Sequence, residues 1–261
     1  MHSAEREQLI LSLLAHRGFI AFQDLEGRMD ASPATIRRDL EKLETGGKIS
    51  RVRGGARLVG SAGPSAPHLS GVPFHENLSR NLAAKQAIGR AAADLCRIGE
   101  SIIIDGGSTT LQMCPHLGNL GLQVLSNSLH IVSALLPQQR TSIMMPAGML
   151  FREQNIVLSP YEDDGIGRYR ASRMFMGAAS VGHHGVMQTD VLLVQAERRL
   201  RGLAENLVLL VDSSKFEAPA GHLVCDLEDV AVLITDDGIT DDVAEVMERT
   251  VGQLIVVPAQ R

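Results

Sequence analysis

Apolar and polar positions keep different rhythms in different parts of the chain. Leu9, Ile10, Leu13 and Leu14 form one stripe at helical spacing, which predicts a first helix ended by Gly18. Phe22, Leu25 and Met29 predict a short second helix. Ile36, Leu40 and Leu43, at i, i+4 and i+7, predict a third. That helix opens at Ser32-Pro33, where Ser is a natural N-cap and Pro suits the first helical position. After Gly46-Gly47 the period falls to two. The run Lys48-Ile49-Ser50-Arg51-Val52-Arg53-Gly54-Gly55-Ala56-Arg57 predicts a strand with Arg51 and Arg53 on one face and glycines at its tip.

From His75 onward the rhythm changes again. Short, nearly continuous apolar runs occupy 101–105, 122–126, 142–146, 174–178, 207–212, 230–235 and 254–257. Helix-period segments lie between them at 82–96, 109–117, 128–136, 190–203 and 241–249. Strands that are apolar throughout, separated by helices, are what a parallel sheet covered on both faces requires. Between the two regions, Gly60-Ser61-Ala62-Gly63-Pro64-Ser65-Ala66-Pro67 resists regular structure and reads as a linker. The expected organisation is a head over 1–59, a linker over 60–76 and an α/β body over 77–261.

Composition narrows the function classes. With 261 residues, 44% hydrophobic and 21% charged, the chain can bury a real core and is not wholesale disordered. No run approaches the length of a membrane span. The N-terminus is polar and carries acids, unlike a signal or transit peptide, so a cytoplasmic protein is expected. Cys96, Cys114 and Cys225 are odd in number and lack ligand-like spacing, and read as reduced thiols. No Trp, two Tyr and six Phe argue against an aromatic platform for single-stranded nucleic acid.

Charge divides the chain. The net charge is −5 overall, yet residues 1–59 carry ten Lys or Arg against eight acids, and residues 37–57 carry seven against three. On the third helix, Ala34, Arg38, Glu41 and Thr45 point away from the apolar stripe, flanked by Arg37 and Lys42. Small residues at a helix start allow close approach to a DNA groove, and arginines just behind reach guanine edges or phosphates. The candidate DNA contacts are Ser32, Ala34, Thr35, Arg37, Arg38 and Lys42 on the helix, with Arg51 and Arg53 on a wing along the phosphate backbone.

In the body, Asp105, Gly106, Gly107, Ser108, Thr109 and Thr110 follow the first apolar run and open a helix. Backbone N–H groups, the helix dipole and hydroxyls there favour an anion. The loop is neither a Walker A nor a dinucleotide fingerprint. Asn127 and Ser128, Gly148, and Lys215 follow other strands in loops of similar texture. The C-terminal strand ends of an open parallel sheet share one edge, where ligands collect. A phosphorylated, polyhydroxylated ligand suits such an edge. Lys85 reads either as an exposed helix lysine or as a further pocket residue. His183-His184 reads as a polar turn rather than a metal pair, Glu162-Asp163-Asp164 as a solvated loop, and the methionines, Met144-Met145 included, as core. No metal site and no cofactor is expected.

Two stretches carry a specific resemblance. Ser-Pro-Ala-Thr-Ile-Arg-Arg-Asp-Leu from Ser32, followed by Leu-Glu-x-x-Gly-x-Ile-x-Arg-x-x-Gly-Gly-Ala, resembles the winged helix-turn-helix of the DeoR/GlpR family of bacterial transcriptional regulators. One departure is Met29-Asp30-Ala31 in the turn, where the family often has a hydrophobic residue. In the body, the Asp105–Thr110 loop, Ser126-Asn127-Ser128 and Asp212-Ser213-Ser214-Lys215-Phe216 are similar to that family's effector domain. The resemblance implies a fold like ribose-5-phosphate isomerase and a sugar-phosphate effector. It also implies double-stranded operator DNA as partner and, most commonly, a repressor relieved by its effector. Val157-Leu158-Ser159-Pro160, Thr189-Asp190-Val191-Leu192, Ala196-Glu197 and Ala220-Gly221 resemble the branch controlling L-ascorbate utilisation.

The rival is a sugar-phosphate isomerase with a DNA-binding head. That chemistry needs a carboxylate base beside the sugar carbons. The isomerase segments Asp-Gly-Ala-Asp-Glu and Lys-Gly-Gly-Gly-Gly do not occur, and Gly177-Ala178-Ala179-Ser180-Val181 carries no acid. A regulator that binds its sugar phosphate without turning it over is therefore expected. One winged helix covers a short half-site, so a homodimer or homotetramer through the body is expected too.

Overall fold

A computed structural model describes residues 3–17, 19–26, 29, 31–52, 55–58, 74–159, 164–218 and 221–259. Gly18, Arg53, Glu162, Asp163 and the stretch expected as linker over 60–73 lie outside the described residues. The chain divides into two compact units, Met1–Ala66 and Pro67–Arg261.

The first unit runs α1 (Ser3–Arg17), β1 (Phe19–Ala21), α2 (Phe22–Glu26), α3 (Pro33–Thr45), β2 (Ile49–Val52) and β3 (Gly55–Leu58). The strands form an antiparallel sheet in the order β1-β3-β2. Ile36, Leu40 and Leu43 turn inward from α3 onto Ile10 and Leu14 of α1, as their spacing requires. Met29 is buried in the same core, so an apolar side chain fills the turn at this departure from the family pattern. Strand β1 was not expected. It is three residues long and joins the sheet only by pairing with β3.

The second unit opens with α4 (Phe74–Leu78) and α5 (Leu82–Asp94), then β4 (Ser101–Ile104) and a 3-10 helix (Thr110–His116). It continues with β5 (Gln123–Leu125), α6 (Leu129–Leu135), β6 (Ser142–Met144), β7 (Met149–Phe151), β8 (Ile156–Leu158) and β9 (Ala171–Met176). Next come β10 (Ser180–Gly182), β11 (Gly185–Gln188), α7 (Val191–Arg201), β12 (Ala204–Leu210) and β13 (His222–Cys225). The unit closes with β14 (Val230–Asp236), α8 (Asp241–Thr250) and β15 (Leu254–Val257).

Seven of these strands form one parallel sheet in the order β15-β14-β12-β9-β4-β5-β6. They are the seven apolar runs of the sequence. Both faces are covered, which is why the runs lack alternation. Ile102, Ile104, Phe175 and Val208 pack under α5, the 3-10 helix and α6. Ile103, Met174, Met176 and Leu207 pack on the other face, with Val194 and Leu200 of α7 and Met247 of α8. The chain builds outward from β4 to β5 and β6, then returns to β9 and builds the other way. The order therefore reverses between β4 and β9, and ligands of open α/β sheets sit at such a reversal.

Four expectations need correction. The segment expected as a helix over 109–117 is a 3-10 helix containing Pro115. Pro115 lacks an N–H, and Thr110 Oγ1 donates to Asp105 O and Gly107 O, tightening the turn. The β7–β8 hairpin and the three-stranded sheet β10-β11-β13 were not expected; their strands have three or four residues each. Residues 74–76, expected in the linker, are helical, and Phe74 is buried. Met144, expected in the core, is exposed on the edge strand β6, whereas Met174 and Met176 are fully buried. Among the described residues, no helix is long and apolar enough to cross a membrane.

Candidate functional site

The outward face of α3 is built by its cap. Ser32 Oγ accepts from the Thr35 N–H at 3.2 Å and lies 2.9 Å from Thr35 Oγ1, with Pro33 in the first turn. Ala34, Arg37, Arg38, Glu41 and Lys42 are exposed, and Thr35 is half-buried. The basic side chains differ in what holds them. The Arg37 guanidinium lies 5.1 Å from the Phe22 ring centre, a cation–π contact that aims it. Lys42 Nζ donates to Glu7 at 2.6 Å. Arg51 donates its backbone N–H to Glu44 Oε1 at 2.9 Å, and its guanidinium lies 3.8 Å from the other oxygen. Arg38 is exposed and makes no ion pair among the described residues. Arg53 lies outside the described residues.

One acid of α3 faces inward. Asp39 is buried, and Arg6 of α1 grips it with Nε at 2.6 Å and a terminal nitrogen at 3.2 Å. This fork locks the candidate reading helix to α1. The sequence marks Asp39 by placing it beside Leu40 in the buried face, but not its partner 33 residues away.

In the second unit, Asp105 ends β4 at the reversal point, with its N–H donating to Phe175 O of β9. Gly106 lies directly beneath the β7–β8 hairpin. A Cβ there would meet Ile156 at 2.7 Å and Ser128 at 3.1 Å, so the loop needs glycine for this close approach. Ser128 caps α6, and its own N–H bonds to Ser126 Oγ at 3.2 Å. Among the described residues, the backbone N–H groups of Gly107, Ser108 and Thr109 donate to no protein acceptor. Gly148 has a packing role: a Cβ would sit 2.4 Å from Leu158 O across the hairpin. The hairpin, Asn127, Pro146 and α7 enclose a cavity of about 470 Å³, walled by Met149, Phe151, Leu158, Ile166 and Leu192. The Arg199–Asp164 ion pair, 2.5 Å long, lies in the same wall.

A carboxyl group that the sequence offered only as part of the Ala196-Glu197 resemblance, with no site role, stands behind Asp105. Glu197 of α7 is 3% exposed, and its Oε1 accepts from Gln188 Nε2 at 2.6 Å. Burial pushes Asp105 up to about 6, against the pull of hydrogen bonds from the Gly106 N–H and the Asn127 side chain. Burial, and then the charge of Asp105, push Glu197 well above the usual carboxylate range. Spacing could have revealed Glu197, since it falls at i+3 between Val194 and Leu200 in the buried stripe of α7.

Lys215 joins a different group. Lys85 is buried rather than exposed, and its Nζ donates to Asn77 O at 2.5 Å. Its proton affinity is lowered by burial above all; Asp212 opposes this, and Lys215 and Arg80 add to it. Asn81 donates to Asp212 at 2.7 Å. The expected ligand residues thus form two groups along one C-terminal sheet edge, one at the loop after β4 and the other at the loop after β12, with β9 between them. One gathers Asp105, Gly106, Asn127 and Ser128 beneath the hairpin, and the other gathers Lys85, Asp212 and Lys215. His183 and His184 form the exposed turn between β10 and β11, with ring centres 3.7 Å apart. Among the described residues, no three His, Cys, Asp or Glu side chains gather as a metal site would require. The three cysteines are free, and burial pushes each thiol up to about 12.

Known proteins align with both units. The family described as DeoR-like helix-turn-helix domain matches residues 6–62, and the DeoR C terminal sensor domain matches residues 80–237. The HTH-type transcriptional regulators UlaR of Salmonella newport and Salmonella heidelberg are each 32% identical over 248 residues, covering 95% of this chain and 96% of theirs. Among solved structures, ribose 5-phosphate isomerase A from Methanocaldococcus jannaschii is similar at a TM-score of 0.38 and 19% identity, covering 54% of this chain and 55% of that one. The eIF2B delta of Chaetomium thermophilum is similar at a TM-score of 0.42 and 13% identity, covering 68% and 56%. Two matched domains and relatives aligned over nearly its full length make this chain a member of the DeoR family, a helix-turn-helix transcriptional regulator with a C-terminal sensor domain.

Proposed function

We propose that this regulator is a repressor of a sugar-catabolic operon that releases its operator when a phosphorylated sugar or sugar acid occupies the sensor. Helix α3 reads the major groove through Ser32, Ala34, Thr35, Arg37 and Arg38. Lys42, Arg51 and Arg53 hold the phosphate backbone. The effector's phosphate rests on Gly106, Gly107, Ser108, Thr109 and Thr110, with Asn127 and Ser128 beside it, Gly148 beneath the hairpin, and Lys215 reaching in from the later loop. Homology to UlaR regulators favours the branch controlling L-ascorbate utilisation. On this reading the head spans 1–59, the linker 60–73 and the sensor 74–261. The protein works in the cytoplasm as a homodimer or homotetramer paired through the sensor. It binds the sugar without isomerising it, since the isomerase segments with their catalytic acids are absent.

The observation that carries this reading is the cluster at the β4–β9 reversal. Uncommitted N–H groups and hydroxyls gather there, and Asn127 beside them lines a cavity of about 470 Å³. The test is an operator mobility-shift titration with phosphorylated five- and six-carbon sugars and sugar acids, run beside a coupled isomerase assay. Release of the operator by one of them, without turnover, supports the reading. Turnover above background, or no release by any, overturns it.

A further inference from the structure

Helix α4 is short, and both its ends are held by the surroundings of the proposed ligand. It has five residues. Isolated helices are marginal below about 12–15 residues, so α4 exists only through its tertiary holds. Phe74 makes the hold at the N-terminal end. Its buried ring stacks on His130 of α6, with centres 4.0 Å apart and planes 11° apart. Its N–H donates to Glu153 O at 3.2 Å, in the turn of the β7–β8 hairpin. His130 Nε2 lies 3.0 Å from Asn155 Nδ2 in the same turn. That hairpin rests on the loop after β4: Ile156 lies against Gly106, and the Val157 N–H donates to Asn127 O at 2.7 Å. At the C-terminal end, Asn77 O accepts from Lys85 Nζ, which is buried and feels the charges of Asp212 and Lys215. Each end of α4 thus rests on one of the two groups of expected ligand residues. In sequence α4 follows β3, the last strand of the head.

We propose that α4 is the strap through which ligand occupancy of the sensor reaches the head: an anion on the strand-end loops draws Lys85 from Asn77 O and shifts the hairpin under Phe74, changing both holds together. The inference rests on the phosphate reading above and adds how occupancy of that site is transmitted. A ligand moves an equilibrium only by binding its two states unequally. A phosphate does so here, because its charged oxygens attract the Lys85 ammonium more strongly than the neutral Asn77 carbonyl does. The same ligand bears on Gly106, so the hairpin and the Phe74–His130 stack answer to one event. Elements that move in allostery come from the weakly held end of a fold, and a five-residue helix with a hold at each end belongs there.

The experiment measures coupling apart from binding. Full-length protein first selects its operator from a random-sequence DNA pool. Operator affinity is then measured by mobility shift with and without L-ascorbate 6-phosphate, gluconate 6-phosphate, glucose 6-phosphate and ribose 5-phosphate. The ratio of the two affinities is the coupling, commonly about 5- to 150-fold. Phe74→Ala and His130→Ala bring that ratio below about twofold, while operator affinity without probe and probe affinity without DNA each stay within about threefold of wild type. His130→Phe keeps a ring beneath Phe74 and keeps the coupling. A wild-type ratio in either alanine variant, or its loss in His130→Phe as well, overturns the proposal. Hydrogen exchange of the wild-type protein decides independently of whether the variants fold. Coupling is reciprocal, so operator binding alone must change exchange in peptides covering 74–78 and 149–158. Unchanged exchange in both overturns the strap. If no probe releases the operator from wild type, the phosphate reading has failed, and the exchange measurement, which uses no ligand, judges the strap by itself.

Discussion

Helices α3 and α7 pose the same riddle in sequence and answer it differently in space. Each is an amphipathic helix of 11 to 13 residues with one acid in its buried face, Asp39 on α3 and Glu197 on α7. Asp39 meets a guanidinium that matches it with two hydrogen bonds. Glu197 meets an amide on one side and a second carboxyl, Asp105, on the other. The first arrangement satisfies every charge and holds the reading helix rigid. The second presses two carboxyl groups together out of water, with no cation paired against either among the described residues. The role of a buried acid is therefore set by its partner, and the partner comes from elsewhere in the chain.

The largest effect should come from breaking the satisfied pair. Asp39→Ala removes the carboxylate that two guanidinium hydrogen bonds hold and leaves a space in the buried face of α3, so the head loses stability. Urea unfolding of the head should register that loss. A change below about 1 kcal/mol would erase the contrast with Glu197.

Next in size is the outward face of α3. Arg38→Ala should abolish specific operator binding, since a base contact costs roughly 1–3 kcal/mol per half-site and a dimer loses it twice. Arg51→Ala should instead weaken all sequences alike and flatten the salt dependence. Mobility shifts across several salt concentrations separate the two. Unchanged operator affinity in a folded Arg38 variant would place the reading face elsewhere.

In the sensor, Lys215→Ala should weaken effector binding roughly tenfold to a hundredfold, the contribution of about 1.5–3 kcal/mol from a charge-assisted hydrogen bond. Ser108→Asp should weaken it more, by placing a like charge at the phosphate position. Operator binding without ligand should survive in both. An effector titration in which either variant lets go of DNA at the wild-type concentration would move the phosphate off this loop.

The smallest effect is a pH dependence. Asp105 binds its proton more tightly when folded than unfolded, with a value of about 6 against the ordinary 3.8. Its contribution to stability is thus full below the ordinary value and is lost as pH rises through about 6. Asp105→Asn should gain on wild type as pH rises through that window and hold a level advantage above it. Parallel denaturation curves at pH 4, 5, 6 and 7 would show this. An advantage independent of pH would mean that Asp105 keeps its proton affinity on folding.

Much of this protein is determined locally. The apolar stripe of α3, its Ser32-Pro33 start and the seven apolar runs depend on neighbours a few residues away, so the winged head and the two-faced parallel sheet are legible in sequence. So is the loop after β4, because small residues between a strand and a turn have few other uses. The hairpin Met149–Leu158 escaped because its strands are three residues long and β7 is mostly exposed. The 3-10 helix escaped because side-chain bonds from Thr110 and the missing N–H of Pro115 outweigh its helical spacing. Only the tertiary structure decided which buried acid meets a guanidinium and which meets another carboxyl. Asp39 and Arg6 are 33 residues apart, Asp105 and Glu197 farther still, and the pairings exist only once the helices dock. Burial strengthens every such interaction by excluding water. The character of each site is therefore set by what packing brings beside it, which no local pattern records.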